Sequence, residues 1–499
     1  MTESVHRQYF HACRYGSVGF RLLTTSTFIV SILTIRLLNE WLWTDGREPA
    51  SGTEHLLRWA SWAWTASLPT VIVSILAMCI STDPPTESPS VDPSVTVAFR
   101  IVSRGRNLEA LAGTVDAVRR VMHETPMFRY RIEVVADEAV ALPASRDLHV
   151  MVVPADYATP QRSRWKARAL CYAIERSRND DRDFIVHLDE ESWPSTSAVV
   201  GIADFIARNN NRFLPPIGQG MILYYRHFTG RRLIPKLLTL ADMLRTGDDI
   251  GRFRFQYRMG KAPMGIHGSF IVIRTDLERR IGLDVGADGS LTEDAWFALA
   301  AQAAGVEFGW VNGYLVEQAP EHVVDFVKQR RRWWNGLFRV ALFAPSKAWA
   351  RTTLMGFLVL WGAAMVGSMY TVLNLFLGLA THPVASWTGT VCFAWYLTMY
   401  LAGLRLNIAA WRQDTGNDVG WWHRVGLYAA LIVLMPVFGL LEAGAVMYGI
   451  ARPERGFTVI TKSNIERSPA NGSGVGAHLV EQAAAAHRGS QRSFDPLQV

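Results

Sequence analysis

A chain of 499 residues with 49% hydrophobic content and a mean hydropathy of +0.09 is too apolar for an ordinary soluble enzyme and too polar to lie wholly in a membrane. It has room for one large catalytic domain plus several membrane helices. A net charge of +7 suits a surface facing an anionic leaflet, whereas no nucleic-acid recognition motif accompanies that charge, so no nucleic-acid partner is expected.

Residues 18–39 form an apolar run interrupted only by Arg21 and Arg36 near its ends, where long side chains snorkel. A second run, 59–80, carries Trp62 and Trp64 as interfacial aromatics. Residues 1–80 therefore predict two N-terminal transmembrane helices, and the first run is too long, and lacks the cleavage site, for a signal peptide. Arg7 and Arg14 precede the first run, and Glu40, Asp45, Glu48 and Glu54 outnumber Arg47 and Arg58 between the two. The positive-inside rule then puts the N-terminus, and the domain after the second span, in the cytosol. Cys13, Cys79, Cys171 and Cys392 are scattered without a CxxC pair and support neither a zinc site nor a disulfide framework.

Residues 81–94 are rich in Pro and Ser and read as a linker. Beyond them a strand at 95–103 leads through the turn Arg104-Gly105-Arg106-Asn107 into a helix at 108–122. Strands at 131–136, 148–153 and 183–188, a helix at 164–176, a later strand at 268–274 and a helix at 292–304 follow. Such alternation predicts an α/β domain, residues 95–345, with a mostly parallel sheet. Ligands bind outside the carboxyl ends of such strands, and Arg104, Asp137 and Asp189 fall there. Asp137 is a candidate to accept from a nucleotide base, against a bland reading as a strand-ending turn residue. Lys166, with Arg168 on the same helix, is a candidate to hold phosphate, against a bland reading as solvated surface charge.

Asp189-Glu190-Glu191 closes an apolar strand. In an extended chain residues i and i+2 share a face, which predicts Asp189 and Glu191 converging on magnesium or manganese, ions held by one or two carboxylates plus substrate phosphates. The bland reading is a solvated acidic turn. Thr292-Glu293-Asp294 opens a helix, and the bland reading is an N-cap with acids in the first turn, which would depress the pKa of Asp294. The functional reading makes Asp294 a general base for an acceptor hydroxyl. Gln329-Arg330-Arg331-Arg332-Trp333-Trp334 is partly an interfacial stretch, with a helix near 333–345. It also predicts Arg332 neutralising a leaving diphosphate and Trp333 stacking on an acceptor sugar.

Three more apolar runs, 353–380, 386–410 and 425–450, predict transmembrane or re-entrant helices. Three full spans would leave Arg452, Arg455 and Lys462 outside; with Pro436 and Glu442 inside the last run, a broken or re-entrant segment is expected there. From 465 the composition predicts a disordered tail.

Taken together, Lys166-Ala167-Arg168-Ala169-Leu170 (K-x-x-A-L), Thr292-Glu293-Asp294 (T-E-D) and Gln329, Arg332 and Trp333 (Q-x-x-R-W) resemble the motifs of family-2 glycosyltransferases with a Rossmann-like GT-A fold. Residues 451–464, through Gly456–Lys462, are similar to the gating segment of the polysaccharide synthases in that group. HLDEES (187–192), GQG (218–220), LADMLRTGDDIGRFRFQ (240–256), HGSFIV (267–272), DGSLTEDAWFA (288–298) and EQAPEHVVDFVKQRRRWWNG (317–336) resemble the egghead-type β-1,4-mannosyltransferases.

That resemblance implies an inverting β-1,4 transfer of mannose from GDP-mannose to a glycolipid in a bilayer, with Mg2+ or Mn2+. It implies Asp294 as base beside Glu293, and Asp189 and Glu191 on the metal. It further implies Arg104, Asp137, Lys166 and Asp189 around the nucleotide sugar, with Gln329, Arg332 and Trp333 toward the acceptor and diphosphate. An integral membrane protein is expected, in the plasma membrane of a bacterium or the ER/Golgi of a eukaryote. A processive polysaccharide synthase is the alternative, and a membrane scaffold with a degenerate enzyme domain a more distant one.

Overall fold

The computed structural model describes residues 17–42, 48–49, 51–79, 89–454 and 456. Linker residues 81–88, the gating-like segment beyond Gly456 and the tail from 465 lie outside them.

Among the described residues eight strands form one sheet: β1 Thr96–Ser103, β2 Arg129–Ala136, β3 Leu148–Val152, β4 Phe184–Asp189, β5 Trp193–Pro194, β6 Ile217–Leu223, β7 Ile271–Arg274 and β8 Phe308–Val316. Their order is β3-β2-β1-β4-β7-β6-β8-β5. Pairings β1–β2, β2–β3, β1–β4 and β6–β8 are parallel; β4–β7, β6–β7 and β5–β8 are antiparallel. The mostly parallel sheet expected from sequence is present. β7 is the departure that matters: because it runs against β4, its amino end and the loop before it meet the carboxyl end of β4.

β1 is buried along nearly its whole length, as expected of a parallel strand covered on both faces. Below it the helix Leu108–Glu124 starts where the Asn107 side chain accepts from Ala110 N at 3.2 Å, satisfying one orphan amide. It buries Leu111, Val115 and Val118, each contributing about 1.5–3 kcal/mol. The helix Thr196–Asn209, capped by Ser195, lies so close to β8 that a methyl at Gly201 would sit 1.3 Å from the Asn312 carbonyl oxygen. Glycine is the residue that permits that approach.

Inside this apolar slab lies a polar cluster. Arg100 of β1, wholly buried, donates through Nε to Glu133 (2.9 Å) and through Nη1 to Glu278 (2.9 and 2.7 Å). His187 Nε2 lies 2.7 Å from Glu278.

Among the described residues five helices are long and apolar enough to cross a membrane: 18–41, 52–78, 348–374, 383–415 and 421–451. The second begins earlier than the apolar run alone indicates, because Gly52–Ala60 and a 3-10 turn at Ser61–Ser67 precede Leu68–Cys79. The last is one continuous helix, Trp421–Ala451, with Pro436 inside it, so it carries no break. The interfacial stretch is likewise longer than expected: a single helix, Val323–Phe343, has Trp333 at its middle rather than its start.

Candidate active site

A cavity of about 470 Å³ opens at the carboxyl ends of β1, β2 and β4 and continues among the apolar helices. Arg104, Asp137, Lys166, Asp189, Glu191, Glu293, Asp294, Gln329, Arg332 and Trp333 all line it. Deeper, its walls are Trp64, Phe357, Trp361, Phe393, Trp395 and Met435. Residues separated by over 200 positions thus share one space, polar at one end and aromatic at the other.

Lys166 is the hub. Its Nζ donates to Asp189 Oδ1 at 2.5 Å and to the Gly268 carbonyl at 3.0 Å, and lies 3.5 Å from Glu293 Oε1. Burial disfavours its charge, but Asp189, Glu293 and Asp294 outweigh that and raise its pKa. A methyl built at Gly268 would lie 2.9 Å from Lys166 Nζ, 3.2 Å from Asp294 Oδ2 and 3.8 Å from Glu293 Oε1. Glycine there leaves the ammonium and two acids room to face one another.

Asp294 departs from the sequence argument. Its Oδ1 accepts from Ala295 N at 2.7 Å, the stabilising bond expected of a first helical turn. Burial nevertheless dominates and, with the neighbouring Glu293 charge, pushes Asp294 up to about 7 despite Lys166. Nor does Thr292 act as a cap: its side chain makes no capping hydrogen bond, and Oγ1 is buried without a partner among the described residues. The bland account of this motif thus keeps its acids in the first turn but lacks the Thr292 capping bond and the depressed Asp294 pKa.

Asp189 and Glu191 both line the cavity, but not through the strand alternation expected. Asp189 ends β4 and the chain turns at once, with Ser192 N bonding to Asp189 O at 3.1 Å, so strand alternation does not apply. The turn is held by Arg226, which donates to Glu191 O at 2.8 Å and packs 3.6 Å over Trp193. Glu190 is directed back to β1, where Ser103 Oγ donates to Oε2 at 2.6 Å. No group of three or more His, Cys, Asp and Glu side chains among the described residues holds a metal alone. Two hard carboxylates in an open cavity still fit Mg2+ or Mn2+, whose remaining ligands come from a diphosphate and water.

Arg332 is half-buried; desolvation lowers its pKa, while Glu293, Asp294 and Asp189 pull the other way. One guanidinium thus lies in the field of all three acids. Trp333 is arranged otherwise than expected. The guanidinia of Arg245 and Arg330 each lie 4.6 Å from its ring centre, so stacking on a sugar requires one to give way. Gln329 Oε1 accepts from Arg330 Nη1, and Arg330 is itself bound by Asp242 and, at 3.2 Å, by Glu442. Asp137 lies 3.6 Å from Arg168, and burial raises its pKa.

Four cavity residues lie within the motif runs quoted from the sequence but have no role assigned there. Glu317, just past β8, accepts from Ser192 Oγ at 2.9 Å and from Ser269 Oγ; burial and Asp189 raise its pKa. His267 Nε2 and Asp249 Oδ1 share a 2.5 Å hydrogen bond. Gly268 and Arg245 complete the set.

The chain matches the glycosyl transferase family group 2 model over residues 184–406. It is 30% identical over 370 residues to β-1,4-mannosyltransferase bre-3 of Caenorhabditis briggsae, covering 73% of this chain and 78% of that one. To β-1,4-mannosyltransferase egh of Drosophila melanogaster it is 29% identical over 431 residues, covering 84% and 90%. Among solved structures it is similar to mannosyltransferase PcManGT from Pyrobaculum calidifontis, in complex with GDP-Man and Mn2+, at 14% identity and a TM-score of 0.44, over 80% of this chain and 100% of that one. With its sheet, its motifs and these relatives, the chain belongs to the family-2 glycosyltransferases with a GT-A fold, alongside the β-1,4-mannosyltransferases bre-3 and egh, and is a nucleotide-sugar-dependent hexosyltransferase.

Proposed function

We propose that this enzyme transfers one mannosyl group from GDP-mannose to a hydroxyl of a membrane glycolipid, with inversion, at the cytosolic leaflet. The observation that carries this reading is the single cavity joining the acids and cations of residues 104–332 to an aromatic wall built from apolar helices. A donor made in the cytosol would enter at the strand ends, and an acceptor with apolar chains would enter from the other end. The names of the relatives support mannose and the β-1,4 linkage.

Asp294 takes the proton of the acceptor hydroxyl as its oxygen bonds to the anomeric carbon. The bond from that carbon to the diphosphate oxygen breaks on the opposite face, and Arg332 and Lys166 offset the departing charge. Asp189 and Glu191 would hold a divalent ion, which supplies further neutralisation of the diphosphate. Arg104 and Asp137, at the carboxyl ends of β1 and β2, would contact the nucleoside.

Incubation of the full chain in lipid with radiolabelled GDP- and UDP-sugars, a glycolipid acceptor and Mn2+ or Mg2+ tests this. The expected product is one mannose added from GDP-mannose, extractable with lipid, and lost on chelation. A long insoluble polymer, or transfer only from UDP-sugars, would overturn it.

An acid limb is also expected. Since burial and Glu293 push Asp294 up to about 7, kcat/KM falls about tenfold per pH unit below that point as the base takes up its proton. A pH–rate profile flat from 5 to 8 would exclude Asp294 from that role.

A further inference from the structure

The helix Trp421–Ala451 has the length and the mean hydropathy, 2.1, of a membrane span, but both of its ends rest on the catalytic side. Just before it, Asp414 accepts from Tyr314 Oη at 2.9 Å and from Tyr225 Oη, both in the catalytic domain. Only residues 416–420 separate the preceding helix from this one. In its first turns Leu427 and Leu431 join the core that includes Leu238 and Leu240 of the catalytic domain.

At the far end, Asn335 Nδ2 of the interfacial helix donates to Gly449 O at 3.3 Å, and Arg331 Nη2 donates to Arg452 O at 2.7 Å. Arg331 also packs 4.4 Å over Tyr448 and pairs with Glu454 at 3.0 Å. That interfacial helix is itself seated on the catalytic domain, where a methyl at Gly336 would meet Thr292 at 2.5 Å.

Thirty-one residues of α-helix measure about 46 Å, well over the roughly 30 Å hydrocarbon core. A helix that crossed would carry one end a full bilayer thickness from the catalytic domain. Neither end is there.

We infer that this helix does not cross the membrane but lies along it, with its outer face set into the leaflet on the catalytic domain's side. The division of its surface agrees. Leu427, Leu431, Met435, Phe438, Ala445 and Gly449 are buried on one side, and Ala443 and Val446 are buried beside Ala364 and Met365 of the helix Ala348–Leu377. Elsewhere on its surface Trp422 (81% exposed), Val425, Val433 (72% exposed), Val437 and Ile450 are exposed apolar side chains. Acyl chains and the headgroup boundary fit those side chains, with Trp421 and Trp422 at one end as interfacial anchors. Its inner side meanwhile supplies Met435, Pro436, Gly439 and Glu442 to the cavity wall. One helix thus separates the active-site cavity from leaflet lipid.

The test uses the full chain with its native cysteines replaced and single cysteines introduced as Phe213→Cys, Asn417→Cys, Pro453→Cys or Leu377→Cys. Sealed vesicles of each orientation are treated with a membrane-impermeant maleimide. Positions 213, 417 and 453 are expected to react in the same vesicles, and 377 in the opposite ones. Reaction of 453 together with 377 would overturn the inference, whatever sugar the enzyme transfers. Spin labels at Val425→Cys, Val433→Cys and Ile450→Cys give a second reading. A common depth short of the bilayer midplane is expected, and a depth that runs through the midplane from 425 to 450 would sink it.

Discussion

Asp294→Asn is expected to reduce kcat for sugar transfer by about 10²–10⁴-fold, the range for losing a general base, while leaving the donor KM within about twofold. Asparagine keeps the shape and the hydrogen bond from Ala295 N but has no basic oxygen in the working pH range. Lys166, Asp189 and Glu191 are untouched, so donor binding survives. The acid limb of the pH profile should vanish with the carboxylate. Stability argues the same way: a carboxyl pushed up to about 7 by burial disfavours the folded state when ionised, so the amide should not lower the melting temperature at pH 8. A variant that keeps wild-type kcat would remove Asp294 from the mechanism. One that loses donor binding and kcat together would make it a structural residue.

Arg100→Met should be the most damaging substitution away from the cavity. Arg100 holds Glu133 and Glu278 in a fully buried site. Removing one partner of such a group typically costs about 3–5 kcal/mol, because the remaining charges are stranded without water. The expected result is a melting temperature in detergent lowered by many degrees, or failure to accumulate. The double variant Arg100→Met with Glu278→Gln should recover part of the loss, since it strands one charge fewer.

The pH dependence has a fixed sign. Burial opposes the Glu278 charge, but Arg100 and His187 overcome it and hold the carboxyl at about 2. Its contribution is therefore complete above the unfolded value near 4.5 and drains away as pH falls toward 2. An unchanged melting temperature in Arg100→Met would show that the cluster contributes nothing.

Why some of this was legible and some not follows from the physics of each residue. Asp137 and Asp189 were readable because each ends an apolar run, and a parallel sheet sends the ends of its strands to one edge. Lys166, Glu293, Asp294, Arg332 and Trp333 came from motif spacing, which survives when local propensity says nothing. β6 and β8 were missed: Ile217–Leu223 carries two glycines and Phe308–Val316 carries Gly309, Asn312 and Gly313, so both look like turns until the sheet supplies partners. Glu317 was hidden with the strand it follows. Arg245 reads as a solvated helix residue, and only its packing on Tyr224 and Trp333 reveals it. Arg100 sits singly in an apolar strand, and its partners lie 33 and 178 positions away. Asp294 was misjudged in degree: helix polarity is visible in a sequence, whereas the burial that outweighs it is not.

The walls of the cavity have an effect on how the protein is made. Residues from Trp64 to Glu442 close it, so a nascent chain that has emerged only as far as Phe343 has its acids but not its enclosure. Competence for transfer therefore arises late in translation, when the final apolar helices join the site. A fragment cut free of them for expression would lose the hydrophobic end of its chamber.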